Sequence, residues 1–234
     1  MPVDQEEKRN LLRALYIPIL LLCILWSIMG IEYLFGISFG KLGIYPHKLY
    51  GLPGILFSPL VHANLKHLFN NSIPLLILTT AIFYFYRPIA LKILILIWLV
   101  TGLCVWIGAR SAYHIGASGL IYGNASFLFF SGVIRKNIKL LAISLLTIFL
   151  YGGMVWGIFP IDNNISWESH LFGGLAGMTF AFIFFDEGPK KEEIDWEDDE
   201  DDDEFPYWEQ TNFTESESFR SSEKFDNKTE PNQP

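Results

Sequence analysis

The chain has 234 residues, of which 51% are hydrophobic and 16% aromatic, and its formal net charge is −8. That apolar content exceeds what an ordinary soluble domain carries and makes a lipid bilayer the expected solvent. The charge is a tail property: residues 186–234 hold 19 acidic and 5 basic side chains, whereas residues 1–185 hold 12 basic and 6 acidic ones, which excludes a uniformly acidic protein.

Six apolar segments are long enough to be membrane helices, over about 14–31, 68–86, 88–108, 118–134, 138–159 and 168–185, given that roughly 20 helical residues span a hydrocarbon core of about 30 Å. The first follows an acidic and basic start (Asp4, Glu6, Glu7, Lys8, Arg9) without a small-residue cleavage pattern, so it reads as an uncleaved anchor rather than a secretory signal. Between it and the second segment runs a long connection, 32–67, dense in Phe, Tyr, Leu, Gly and Pro. A stretch of that composition is expected to lie half-sunk in the outer leaflet, its backbone satisfied by short helices and turns. Lys and Arg are concentrated on the side of the two termini, and Trp106, Trp156 and Trp167 stand toward the other side. Both biases predict cytoplasmic termini. After residue 186 the acidic run 197–204 and a Ser, Thr, Glu and Asn stretch predict a disordered tail.

Cys23 and Cys104 lie in apolar runs and suggest neither a disulfide nor a metal centre. No repeat, phosphate-binding loop or dinucleotide fingerprint is present, and no nucleic-acid partner and no cofactor are expected.

Polar and ionisable groups inside membrane helices are expensive, so their positions carry the functional signal. Three groups stand out: His62, His67 and Asn71 around the start of the second segment; Gly116-Ala117-Ser118-Gly119 at the start of the fourth; and His170 in the first turn of the sixth. Ser118 opens an apolar helix, where its hydroxyl can face water and its N–H is one of the unpaired donors of a helix start. By itself it reads equally as an N-cap or a packing residue. His170, Gly173 and Gly177 share one helical face, and Gly119 and Gly123 form a matching strip. Small residues at that spacing let backbones approach in lipid and would bring His170 to Ser118, as a nucleophile and base require. The other reading of His170 is a buried imidazole bonded to a carbonyl. Tyr122, four residues after Ser118, can stack on the imidazole or be an ordinary core aromatic. Glu168, two positions from His170, points elsewhere, and no segment offers a carboxylate to complete a triad. His67 and Asn71 stack on one face as donors to an oxyanion, whereas His62 precedes the helix and ties the loop down. A metal site built on this group ranks below that role because Asn is a poor zinc ligand.

In this order on these segments, His62-Ala-Asn-Leu-Lys-His67-Leu-Phe-Asn-Asn71, Gly116-Ala-Ser118-Gly119 and His170-Leu-Phe-Gly173-Gly174-Leu-Ala-Gly177 resemble the rhomboid intramembrane serine proteases over about residues 14–186. The resemblance implies an all-α membrane protein, a six-transmembrane-helix bundle with a half-embedded first loop, over residues 1–186, followed by the acidic cytoplasmic tail 187–234. It implies a Ser118–His170 dyad, an oxyanion hole made by His67, Asn71 and the Ser118 N–H, and support from His62, Tyr122, Gly116, Gly119, Gly173 and Gly177, without a metal. The implied substrates are transmembrane proteins met within the lipid bilayer, in a membrane expected to be a bacterial inner membrane. The alternative is a rhomboid-like protein that binds membrane clients without cutting them. Leu56-Phe57-Ser58-Pro59 stands where many relatives carry a Trp-Arg pair, which changes the expected packing of the first loop.

Overall fold

A backbone in hydrocarbon must satisfy its own hydrogen bonds, so apolar runs bounded by Gly, Pro and Asn become helices. The structure, a computed structural model, describes residues 3–150, 156–161 and 165–189. Among these residues it contains seven α-helices: α1 (Val3–Phe35), α2 (Gly54–Phe57), α3 (Leu65–Phe85), α4 (Ala90–Gly108), α5 (Ser118–Arg135), α6 (Ile138–Leu150) and α7 (Trp167–Ile183). Three of them, α1, α3 and α4, are long and apolar enough to cross a bilayer. The helices on the other expected segments are shorter, with 18 residues in α5, 13 in α6 and 17 in α7.

Two boundaries differ from the sequence expectation. Helix α1 begins at Val3 and not near residue 14; its polar first turns include Glu6 three residues before Arg9, a pairing that favours helix in water as well as in lipid. The segment 138–159 is not one helix within the described residues. Helix α6 ends at Leu150, residues 151–155 lie outside the described residues, and Trp156–Ile158 forms a 3-10 turn, consistent with Gly157 and Pro160 disfavouring further helix. Residues 190–234, most of the expected tail, also lie outside the described residues.

The core is apolar, but so is much of the exterior, which departs from the pattern of a water-soluble protein. Leu91, Ile95, Leu103 and Ile107 of α4, Phe149 and Leu150 of α6, and Phe182 and Ile183 of α7 are exposed, whereas Thr79, Asn124, Ser131, Ser144 and Thr147 are buried. Lipid tails cover such an apolar exterior without cost, and the interior hydroxyls close onto helix carbonyls, as Ser144 does on Leu140 at 2.9 Å and Thr147 on Ile143 at 2.8 Å.

The first connection is built of short pieces packed on α4. Three 3-10 turns, Gly40–Leu42, Leu49–Gly51 and Ser58–Leu60, flank α2. Trp98 Nε1 donates to the Ile55 carbonyl at 3.0 Å and Trp106 Nε1 to that of Lys48 at 3.0 Å. Ile44 pairs with His114 in a single antiparallel bridge, so the connection also holds the segment that leads into α5. Asn64 caps α3, its side chain accepting from the His67 N–H at 2.8 Å.

Helix α5 packs more extensively on α7 than on any other element. A methyl built at Gly173 would stand 2.0 Å from the Gly119 carbonyl oxygen, and one at Gly177 2.0 Å from that of Gly123. The two glycine strips are in backbone contact, which fixes the start of α5 against the start of α7.

Candidate active site

Three segments converge at one end of the bundle. The chain enters α5 through Gly116, whose φ of 109° suits glycine and whose N–H donates to the Ser58 carbonyl at 2.8 Å. A side chain there would meet His67 Cε1 at 2.7 Å. Leu56-Phe57-Ser58-Pro59 thus contributes a backbone acceptor to the approach. Ala117 is the N-cap of α5 and makes no side-chain cap, so Ser118 is the first helical residue and not the cap itself. Its hydroxyl is therefore not committed to the helix.

The hydroxyl goes to His170, with Oγ 2.8 Å from Nε2. The other ring nitrogen, Nδ1, lies 2.8 Å from the Gly157 carbonyl oxygen. A carbonyl only accepts, so Nδ1 carries the proton and Nε2 is left to accept from Ser118. That tautomer is the one a general base needs. Tyr122 stacks on the imidazole, ring centroids 4.2 Å apart and planes 6° from parallel. The ring of His170 is thus fixed in plane by a stack and in rotation by two hydrogen bonds.

On the α3 side, His67 and Asn71 line one cavity of about 660 Å³ together with Ser118, Tyr122 and His170. His62 is buried beside them and faces His67 edge-on, with ring centroids 5.1 Å apart. Its Nε2 lies 3.1 Å from Asn71 Nδ2 and 3.4 Å from the Ala117 N–H, so it accepts from both and joins α3 to the approach to Ser118. One amide hydrogen of Asn71 is used on His62, and the second is available to the cavity. Burial, and then the neighbouring His67, push the His62 imidazole down to about 3. It is neutral at ordinary pH, as an acceptor at Nε2 must be.

A further network ties the loop before Ser118 to the start of α7. His114 Nε2 donates to the Arg110 carbonyl at 3.0 Å, which leaves Nδ1 to accept from Ser166 Oγ at 2.6 Å, and Ser166 lies 2.6 Å from Ser169. Burial lowers the His114 imidazole and keeps it neutral. Glu168 does point away from His170: its carboxylate pairs with Arg110 Nη1 at 3.3 Å and accepts from the Arg110 N–H at 3.4 Å.

Residues 49–187 match the Rhomboid domain family. The chain belongs to the rhomboid family. Its relatives include an uncharacterized protein of Mycobacterium tuberculosis, Rv1337, 34% identical over 169 residues that cover 68% of this chain and 70% of the relative. Another, ML1171 of Mycobacterium leprae, is 31% identical over 172 residues, covering 69% of this chain and 68% of that protein. This rhomboid is accordingly an integral membrane protein.

Sequence reasoning missed Gly157, His114 and Arg110. Gly157 falls where an apolar helix was expected, and a backbone carbonyl carries no sequence signal. His114 was the better clue, as a histidine two residues before the Gly-Ala-Ser-Gly run.

Proposed function

We propose that this rhomboid is an intramembrane serine endopeptidase that cuts peptide bonds in or near transmembrane helices through Ser118 and His170. The observation that carries the reading is the 2.8 Å contact of Ser118 Oγ with an imidazole nitrogen that its other hydrogen bond leaves free to accept. Ser118 attacks the scissile carbonyl while its hydroxyl proton passes to His170 Nε2; the imidazolium returns that proton to the leaving amine, and a water then releases the acyl group by the same route. The Ser118 N–H at the α5 start, the free amide hydrogen of Asn71 and the His67 ring are the donors aimed at the oxyanion. His62 acts behind them by holding Asn71 and Ala117. Gly116, Gly119, Gly173 and Gly177 keep the elements close, and Tyr122 keeps the imidazole in plane.

The rest of the reading draws on the apolar segments, the charge distribution and the family. The six apolar segments are six spans, the shorter helices α5, α6 and α7 serving a bundle core that needs no lipid on every side. The first connection is half-embedded, residues 1–186 form the protease domain, and 187–234 an acidic tail on the cytoplasmic side with both termini. The membrane is a bacterial inner membrane, and the substrates are membrane proteins whose helices unwind to reach the cavity.

Reconstituted protein and its Ser118→Ala variant, exposed to a fluorophosphonate and to a model transmembrane substrate, decide the matter. The expected result is labelling and cleavage by the wild type alone. Equal behaviour of the two would favour the non-catalytic reading, a protein that holds membrane clients without cutting them.

A further inference from the structure

A base that works at Nε2 needs its Nδ1 proton held in place, because the other tautomer presents a proton to the nucleophile instead of a lone pair. A buried carboxylate holds that proton in soluble serine hydrolases. Here the carboxylate nearest in sequence, Glu168, is engaged with Arg110. The partner at Nδ1 is the carbonyl oxygen of Gly157, at 2.8 Å. Gly157 lies in the 3-10 turn Trp156–Ile158, on the connection between α6 and α7 and outside the helices that carry the dyad.

The space around Gly157 is as restricted as its carbonyl is placed. A methyl built on it would stand 2.1 Å from Tyr122 Oη and 3.0 Å from His170 Nδ1. Any side chain at 157 must therefore push the turn away from both rings, and the carbonyl moves with it. The stack of Tyr122 on His170 restrains the plane of the imidazole but not which nitrogen bears the proton, since a face-on contact is blind to an in-plane hydrogen.

We propose that the backbone carbonyl of Gly157 is the positioning group of the base, selecting the Nδ1–H tautomer of His170 in place of a carboxylate, and that residue 157 must be glycine for it to do so. The inference rests on the proteolytic reading of Ser118 and His170. Through the reaction the Nδ1 proton stays on His170; the mobile proton is carried at Nε2, from Ser118 to the leaving amine in acylation and from the attacking water back to Ser118 in deacylation. When Nε2 is protonated the ring is a cation, and its bond to the carbonyl becomes charge-assisted and stronger. Because the acceptor belongs to the turn Trp156–Ile158, displacing that turn weakens the base without touching either dyad residue.

Two measurements test this on the full-length protein in detergent micelles. The first is the ¹⁵N spectrum of the His170 imidazole in the wild type, assigned by difference from His170→Ala. The expected result at pH above its titration is a protonated Nδ1 and an unprotonated Nε2; a protonated Nε2 overturns the proposal. The second is Gly157→Ala. It should lower kcat and the fluorophosphonate labelling rate together by about 100-fold with KM unchanged, and should show a mixture of tautomers. In a Tyr122→Phe background, which removes the nearest obstacle to the methyl, the same change should cost less. The control Gly174→Ala, whose methyl meets nothing within 4 Å, should turn over like the wild type. A fully active Gly157→Ala enzyme with a single Nδ1–H tautomer sinks the proposal while leaving proteolysis intact. A wild type that is neither labelled nor active sinks the proteolytic reading instead.

Discussion

The two flanks of the cavity are built differently. On one, α5 and α7 meet through glycines in backbone contact, and the pair they deliver, Ser118 and His170, is locked by that contact. On the other, the start of α3 meets the loop before α5 through side chains: His62 between Asn71 and Ala117, and His67 against Gly116. A backbone seam tolerates no added atom, whereas a side-chain hinge loses one bond at a time. The proposed dyad therefore sits on the flank with the least freedom, and two of the three proposed oxyanion donors, His67 and Asn71, sit on the flank that can yield.

The largest expected effect removes what the seam delivers. Ser118→Ala or His170→Ala should cut turnover by at least about 10⁴-fold, with the double variant little worse than either, because the pair acts as a unit. Helix content and thermal unfolding should hardly change, and cleavage of a model substrate in proteoliposomes reads the loss. Next comes the seam itself. Gly173→Ala puts a methyl 2.0 Å from the Gly119 carbonyl, so α5 and α7 must part. Overpacking of this kind costs about 1–3 kcal/mol or more, and a displacement near 1 Å at the dyad costs about 100-fold in kcat. Both should appear together, in the denaturation midpoint and in turnover.

On the yielding flank the expected losses are smaller and separable. Asn71→Ala removes one candidate oxyanion donor and should lower kcat by about 10²–10³-fold, with fluorophosphonate labelling also slowed and the unfolding midpoint moved by less than in Gly173→Ala. If Asn71→Ala destabilised the protein as Gly173→Ala does, the contrast between the flanks would fail.

The same flank should also respond to acid. Burial holds the His62 imidazole near 3 in the fold against an ordinary 6.5, so below about pH 6.5 the unfolded chain takes up a proton that the fold refuses. Stability is therefore complete above that value and declines as pH falls toward 3, by on the order of a few kcal/mol. His114, lowered in the same direction, adds to the slope. The variant His62→Gln, which keeps an acceptor for Asn71 and Ala117, should flatten the dependence of the unfolding midpoint on pH between about 7 and 4; an unchanged slope would place the acid sensitivity elsewhere.

How much of this was legible in the sequence follows the same division. The seam was, because Gly119, Gly123, Gly173 and Gly177 recur at helical spacing and His170 stands one turn before Gly173 on that face. The α3 pair was as well, since His67 and Asn71 lie four apart. His62 was legible as a residue ahead of a helix that ties the loop down; that its Nε2 would accept from both Asn71 and Ala117 depends on a loop fold that no periodicity encodes. The start of α1 was misplaced because a charged helix extending into water looks like a linker. The turn at Trp156–Ile158 was misplaced because its residues are as apolar as those of the helix before it.

The smallest effect sharpens the comparison most. Gly174 is next to Gly173 in α7 but a methyl on it would meet nothing within 4 Å, because adjacent helical residues point about 100° apart. Replacing an interior helical glycine by alanine is worth up to about 1 kcal/mol of stabilisation through chain entropy and propensity. Gly174→Ala should therefore leave turnover unchanged and raise the unfolding midpoint slightly, while Gly173→Ala, one position earlier, lowers both. The two variants carry the same added atom on the same helix, so propensity cancels between them and only the contact with α5 differs. Equal loss in both would mean that α7 is intolerant of any side chain there, and the close approach at Gly119 would no longer be what holds His170 to Ser118.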